Sequence, residues 1–103
     1  RFAALLDYIR QHLGERLDVD ALAARACMSP RHFSRRFAEE MGVTPARAVE
    51  KLRVEAAAAA LESGNEAVQK IARDYGFGDQ ERMRRAFLRT LGRPPSALRR
   101  KSA

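Results

Sequence analysis

The stretch LAARACMSPRHFSRRFAEEMGVTP, residues 22–45, decides the fold of this chain, because a close variant of it returns as IARDYGFGDQERMRRAFLRTLGRPP, residues 71–95. The copies are offset by 49 positions at first and by 50 after Gly78-Asp79, so the second copy has one more residue near its centre. Each copy has a helical pattern, a short turn and a second helical pattern rich in arginine. A repeat of this size predicts one supersecondary unit used twice, in this case helix, turn, helix.

The bulk composition indicates a small basic globular protein. The 103 residues suffice for one domain, or for two very small lobes that share a connector, and 46% hydrophobic content excludes disorder as the default. The formal charge of +7 is uneven, since residues 1–50 carry a net +1 and residues 51–103 a net +6. Seventeen of the 20 basic residues are arginine, which makes forked contacts with phosphates and guanine edges.

Further features of the sequence narrow the class of protein. No apolar run approaches the roughly 20 residues of a membrane span, and a single cysteine excludes an internal disulfide, so we expect a soluble cytoplasmic protein. The chain opens at Arg1 without an initiator methionine or a secretory signal, which favours a fragment of something longer. One cysteine and two distant histidines supply neither a metal-ligand set nor a nucleophile with its base, so we predict no enzyme, no metal and no cofactor.

Hydrophobic spacing and capping residues predict an all-α fold of about seven helices, with no strand. The predicted N-caps are Asp18, Ser29, Thr44 and Asp79, and the predicted helix-ending glycines are Gly14, Gly42 and Gly92. The inward faces of the two arginine-rich helices are predicted to carry Phe33, Phe37 and Met41, and Met83, Ala86, Phe87 and Leu91. Residues 1–43 and 64–103 would form two helix-turn-helix subdomains joined by a linker helix, residues 44–63.

The arginine-rich helix of each unit is expected to expose its basic side. At about 100° per residue, Arg31 and Arg35 point away from the buried Phe33 and Phe37. The second copy repeats this geometry, with Glu81 and Arg85 outward. The major groove of DNA admits one helix, whose N-terminal residues contact base edges. Two matching helices after two matching turns therefore favour a DNA-binding function over ordinary surface charge.

The linker helix supplies a length that fits DNA. Twenty helical residues, 44–63, would span about 30 Å. Successive major grooves on one face of B-DNA lie about 34 Å apart. The sequence therefore predicts that one chain places its two units in adjacent grooves and covers roughly 20 base pairs without a dimer.

The paired units, the SPRHFSRRF segment and the YGFGDQERMRRAF…GRPP segment resemble the DNA-binding domain of AraC/XylS-type transcriptional regulators. The resemblance covers essentially the whole chain. The GFGDQERMRRAF segment most resembles the GlxA-like subgroup, whose N-terminal half is an amidase-like (PfpI-type) sensory domain. The resemblance thus implies double-stranded DNA as the partner, RNA polymerase as a further candidate partner, and an N-terminal effector domain that this chain lacks.

The resemblance also implies which side chains contact DNA. Base contacts are implied for Arg31, Ser34 and Arg35 in the first unit, and for Gln80, Glu81, Arg82, Arg84 and Arg85 in the second. Phosphate contacts are implied for helix N-termini and flanking basic residues, here Ser29, His32, Arg36, Arg89, Arg99 and Arg100. Many family members have a bulky or amide residue where Arg31 and Ser34 stand, so the base sequence recognised here does not carry over.

Several side chains admit two interpretations. Glu81 could accept a hydrogen bond from a cytosine amino group, but its i,i+4 spacing favours a role in orienting Arg85. His32 could contact a phosphate or make a local surface hydrogen bond. Cys27 could sense redox state, but Gly76 occupies its place in the repeat, which favours a simple turn residue. The tyrosine and phenylalanine that flank Gly76 are expected in the core.

The rival hypothesis for the whole chain is a helical protein-interaction module, for example one that docks on RNA polymerase or a partner regulator, with incidental DNA affinity. The +6 charge of residues 51–103 and the paired outward arginines argue against it.

Overall fold

A computed structural model describes residues 2–99, which form six α-helices and one short 3-10 helix without a strand. The helices are α1 (Ala3–Gln11), α2 (Val19–Arg25), α3 (Pro30–Met41), α4 (Pro45–Ser63), α5 (Val68–Asp74) and α6 (Gln80–Leu91), and the 3-10 helix is Pro95–Ala97. The predicted all-α fold of about seven helices is confirmed.

Four of the α-helices begin at the predicted capping residues. The side chains of Asp18, Ser29, Thr44 and Asp79 each accept a hydrogen bond from the backbone N–H three residues later. This bond satisfies one of the N–H groups that a helix start leaves without a partner. Because α3 and α6 also end at the predicted Gly42 and Gly92, the limits of both arginine-rich helices follow from local sequence.

The end of α1 differs from the prediction. The helix ends at Gln11, with His12 as its cap, rather than continuing to Gly14. The backbone N–H of His12 bonds to the carbonyl of Ile9, three residues back, at 3.1 Å, and the His12 ring lies 2.7 Å from the carbonyl oxygen of Tyr8. These local bonds close the last turn before Gly14 is reached.

The turns of the two units match, with one insertion. Cys27 follows α2 with a φ of 58°, and its repeat counterpart Gly76 follows α5 with a φ of 88°. Both residues therefore have left-handed backbone, in agreement with the turn role predicted for Cys27. The additional residue of the second copy, Gly78, lies in the turn between α5 and α6, where the change of offset places it.

Two separate hydrophobic clusters form the interior, and α4 contributes to both. The first is built from Phe2, Ile9, Leu17, Leu22, Ala23, Phe33, Phe37, Ala48 and Val49. The second is built from Val54, Ala57, Leu61, Ile71, Ala72, Phe77, Met83, Ala86 and Phe87. The N-terminal part of α4 thus packs on the first unit and its C-terminal part on the second.

Two residues predicted to face inward are substantially exposed. Met41 is 39% exposed and Leu91 is 41% exposed, although each lies four residues after a fully buried phenylalanine. They occupy equivalent positions at the last residue of α3 and of α6. The apolar stripe continues to the helix end, but this last turn extends beyond the core that covers the preceding turns.

The molecule is elongated, with principal extents of 49 × 22 × 22 Å. The longest helix, α4, has 19 residues and therefore a length of about 28 Å. Within residues 2–99, no helix is at once long enough and apolar enough to cross a membrane.

Candidate nucleic-acid interface

The first arginine-rich helix, α3, exposes the side that the sequence predicts. Phe33 and Phe37 are fully buried, which fixes the rotation of the helix about its axis. Arg31 and Arg35 are consequently exposed, and Ser34 is half-buried at the edge of this face. The N-terminal half of α3 thus presents two guanidinium groups and a hydroxyl to solvent.

The outward-facing guanidinium groups of α3, those of Arg31 and Arg35, are only loosely held. The Nη2 atom of Arg35 lies 3.4 Å from Nδ1 of His32, which is a long contact. Arg36, on the flank, donates to Glu40 at 3.1 Å. Within residues 2–99, Arg31 has neither an ion-pair nor a hydrogen-bond partner for its guanidinium. This surface can therefore adjust to the group that it meets.

The second arginine-rich helix, α6, has a more ordered surface. The Glu81 carboxylate accepts two hydrogen bonds from Arg84, at 2.9 and 2.7 Å, and one from Arg85 at 3.0 Å. The guanidinium groups of Arg84 and Arg85 lower the pKa of Glu81 to about 2. The structure therefore brings together three predicted contact residues as one ion-paired cluster, which we call the Glu81 cluster.

Other predicted residues of α6 lie beside this cluster. Gln80 and Arg82 are exposed in the first turn, directly after the N-cap Asp79. The Nε atom of Arg82 lies 3.9 Å from a carboxylate oxygen of Asp79, so the guanidinium is only weakly restrained. A groove of about 680 Å³ between the two units is lined by arginines of three segments, Arg16 in the loop between α1 and α2, Arg53 in α4, and Arg82, Arg85 and Arg89 in α6.

The flanking residues predicted to contact phosphates fall into two groups. Ser29 and His32 lie exposed at the start of α3. In contrast, Arg89 donates to Glu50 of α4, with an Nη2–Oε2 distance of 2.6 Å, and Arg99 donates to the carbonyls of Gly64, at 2.9 Å, and Glu66. The hydrogen bond from Arg89 is the main cause that lowers the pKa of Glu50. Arg100 lies outside the described residues.

Comparison with known proteins gives the family and the fold to which this chain is similar. A family model described as "Helix-turn-helix domain" matches residues 22–101. The transcriptional regulator Rv1931c of Mycobacterium tuberculosis is 48% identical over 81 residues, 79% of this chain and 31% of that protein. The solved DNA-binding domain of AdpA, in complex with a target DNA, superposes with a TM-score of 0.86 at 38% identity, covering 93% of this chain and 86% of that one.

The chain belongs to the helix-turn-helix family and is an AraC-type DNA-binding domain. The MmsAB operon regulatory protein of Pseudomonas aeruginosa is a further relative, 34% identical over 89% of this chain and 30% of its own length. The AraC-type domain thus spans about a third of the length of the curated relatives it matches. Both relatives are regulatory proteins by name. Within residues 2–99, no three His, Cys, Asp or Glu side chains are grouped to hold a metal ion.

Two polar residues of this AraC-type domain were not identified from its sequence. Glu50 pairs with Arg89 across 39 positions, and Arg53 donates to backbone carbonyls 38 and 40 positions away. One signal was available for Arg53, since it stands in α4 between Leu52 and Val54, which pack on different cores. An arginine at such a junction has a buried stem and needs hydrogen-bond acceptors.

Proposed function

We propose that this AraC-type domain binds a specific double-stranded DNA site as part of a bacterial transcription regulator, with α3 and α6 in successive major grooves. The observation that carries the proposal is the pairing of two capped helices, each on its own core, each with arginines outward. The 49 Å long axis of the molecule exceeds the groove separation of about 34 Å. One chain can therefore reach both grooves.

The base contacts in this proposal come from the exposed faces of both helices. Arg31, Ser34 and Arg35 contact bases in the first groove, and Gln80, Arg82, Arg84 and Arg85 in the second. Arginine is suited to this role because its fork matches the O6 and N7 acceptors of guanine. We assign Glu81 to holding Arg84 and Arg85, since its three hydrogen bonds to them leave its carboxylate less free to accept from a cytosine.

Phosphate contacts position the domain on the duplex in this proposal. The capped starts of α3 and α6 offer N–H groups and a favourable helix dipole to a phosphate. Ser29, His32 and Arg36 flank the first groove, and Arg89, Arg99 and Arg100 flank the second. The exposed arginines of the groove between the units, Arg16, Arg82, Arg85 and Arg89, outnumber its carboxylates, Glu15, Asp18 and Glu50, which favours the passage of a phosphate backbone there. The steep salt dependence expected of such contacts follows from counterion release.

For the longer protein, we propose an organisation that rests on the sequence. Residues 1–43 and 64–103 form the two DNA-binding subdomains, with residues 44–63 as the linker helix that supports both. The GFGDQERMRRAF segment favours the GlxA-like subgroup, with a PfpI-type effector domain N-terminal to the DNA-binding domain. The protein acts in the cytoplasm, where bacterial DNA is found, and RNA polymerase is a further partner.

Selection from a random duplex library at moderate salt tests the proposed function. Wild-type protein should enrich one asymmetric motif of roughly 20 base pairs, in two parts about one helical turn apart. Arg85→Gln should enrich a motif that has lost information in one part only. Absence of any enriched motif would contradict the proposal and support a protein-interaction module with incidental DNA affinity.

A further inference from the structure

The two units meet at a contact that uses neither arginine-rich helix. Arg53 of α4 donates from Nε to the carbonyl of Leu13 at 3.1 Å and from Nη2 to the carbonyl of Glu15 at 2.9 Å. Both carbonyls belong to the loop between α1 and α2, in the first unit. Because these carbonyls are past the end of α1, the guanidinium satisfies acceptors that have no helical partner. Burial lowers the pKa of Arg53 below its ordinary value.

The second unit packs directly on this loop. A Cβ atom on Gly14 would lie 2.6 Å from the carbonyl oxygen of Asp74, at the end of α5. A Cβ atom on Gly76 would lie 2.5 Å from Nε of Arg53 and would overlap the carbonyl oxygen of Leu13. Backbone from both units therefore approaches as closely as glycine permits. We call Leu13–Glu15, Arg53 and Asp74–Gly76 the inter-unit contact.

The repeat itself shows that Gly76 serves more than its turn. Its counterpart Cys27 also has a positive φ, of 58°, yet carries a side chain and is exposed. The turn alone thus accepts a Cβ atom at this position. In the second unit, the approach of Leu13 and Arg53 removes the space for one.

The second unit has a similar arginine. Arg99 donates to the carbonyls of Gly64 and Glu66, in the loop between α4 and α5. In each unit, therefore, an arginine holds the loop that precedes the helix-turn-helix, Arg53 before α2 and Arg99 before α5. The leucine that precedes each arginine in sequence packs on the hydrophobic cluster of the same unit. At Arg53, in addition, the turn of the other unit packs against the guanidinium.

We propose that the inter-unit contact holds the two units in one fixed arrangement, and that Arg53 is thereby a positioning residue that sets the spacing of the two parts of the DNA site. The claim that Arg53 sets the spacing of the DNA site rests on the proposed function. The claim that the inter-unit contact fixes the arrangement of the units concerns the free protein and can be tested without DNA. Arg53 acts here through the position of α6 relative to α3 and contacts no base.

A distance measurement between spin labels tests the arrangement in the free protein. Labels are attached at Ala24→Cys in α2 and Gln69→Cys in α5, both exposed, in a Cys27→Gly background. We expect one narrow distance distribution for the parent, and a clearly broader one for Arg53→Gln. Arg53→Lys keeps the charge and one of the two hydrogen bonds to carbonyls. The width of its distance distribution should therefore lie between those of the parent and of Arg53→Gln.

Matched controls separate the contact from general destabilisation. Gly14→Ala should broaden the distribution, because its Cβ meets the other unit, whereas Gly64→Ala, whose nearest atom would be 3.4 Å away, should not. Lys51→Gln removes the same charge from the same helix and should behave as the parent. Helix content by circular dichroism confirms that each variant is folded. Should Arg53→Gln fail to fold, Gly14→Ala decides in its place.

Duplexes in which the two parts of the selected site are moved apart test the spacing. One added base pair turns the second part by about 34° around the duplex, so the parent should lose about tenfold in affinity and Arg53→Gln only about twofold. If the distance distribution between the labels stays narrow in both Arg53→Gln and Gly14→Ala, the inter-unit contact does not fix the arrangement of the units. If Arg53→Gln has a broad distance distribution but still loses about tenfold in affinity when one base pair is added, Arg53 does not set the spacing of the two parts of the site. If the parent selects no DNA site, the proposed function fails, and the labels still decide the arrangement.

Discussion

The two arginine-rich helices have the same scaffold but different surfaces. In α3, the Arg35 guanidinium has only a 3.4 Å contact with His32, and that of Arg31 has no partner within residues 2–99. In α6, Glu81 makes three hydrogen bonds of 3.0 Å or less to Arg84 and Arg85. Both helices begin at a capping residue and are followed by a glycine cap, so the difference between their surfaces comes from the exposed side chains.

The two copies of the duplicated unit can thus have different modes of recognition. Side chains that are already fixed lose less conformational entropy when they bind, so the Glu81 cluster should favour one base pattern. Free arginines lose more on binding but can adapt to several patterns. We therefore expect α6 to contribute more of the specificity, and α3 to tolerate more variation in the bases it contacts.

The largest effects should come from truncating the cores that carry the two helices. Phe37→Ala and Phe87→Ala should each lower the free energy of unfolding by about 3–5 kcal/mol, because each removes a fully buried ring. Since the two clusters are separate, the loss of amide hydrogen-exchange protection should concentrate in α1–α3 for the first variant and in α5–α6 for the second. Equal deprotection of both units by either variant would show that the clusters act as one core.

Removal of equivalent arginines should have smaller and contrasting effects on DNA binding. Arg35→Ala and Arg85→Ala should each cost about 1–3 kcal/mol on the selected site, measured by titration against single-base-pair variants of it. For Arg85→Ala the lost discrimination should fall on one or two base pairs, and for Arg35→Ala it should be shallower. Arg10→Ala, on the exposed side of α1, is the control and should bind as the wild type. An equal loss on random DNA would make either residue a phosphate contact only.

The smallest effect concerns the protonation of the Glu81 cluster. Arg84 and Arg85 lower the pKa of Glu81 from 4.5, its value in the unfolded chain, to about 2 in the folded protein. The ionised carboxylate of Glu81 therefore stabilises the folded state at every pH above 4.5. That contribution is lost as the pH falls from 4.5 towards 2, and it is modest because the cluster is exposed. Carboxyl carbon chemical shifts against pH should give the low pKa in the wild type. In Arg84→Gln/Arg85→Gln the pKa should return towards 4.5, and a pKa that stays low would exclude these arginines as its cause.

Much of the fold could be predicted because it depends on short-range sequence. The caps Ser29 and Asp79, the buried faces of α3 and α6, and the turn shared by Cys27 and Gly76 each depend on residues within a few positions of one another. The exposed faces followed from the same helical periodicity. Of the Glu81 cluster, only the i,i+4 pair with Arg85 was anticipated. The i,i+3 pair with Arg84 was not, although its spacing would have indicated it.

The features that were not predicted depend on distant parts of the chain. Arg53 and its carbonyl partners are separated by 38 and 40 positions, and Arg89 and Glu50 by 39. The exposure of Met41 depends on where the surrounding core ends, which helical periodicity does not determine. The early end of α1 at His12 is local, but it results from side-chain hydrogen bonding that a glycine-based rule does not include.

Methylation protection of guanine N7 on the selected duplex tests most directly whether the two helices occupy successive major grooves. We predict two groups of protected guanines, centred about 10 base pairs apart on one face of the duplex. Arg85→Ala should remove protection within one group and leave the other in place. Protection confined to a single groove, or to grooves that are not adjacent, would contradict the two-groove arrangement.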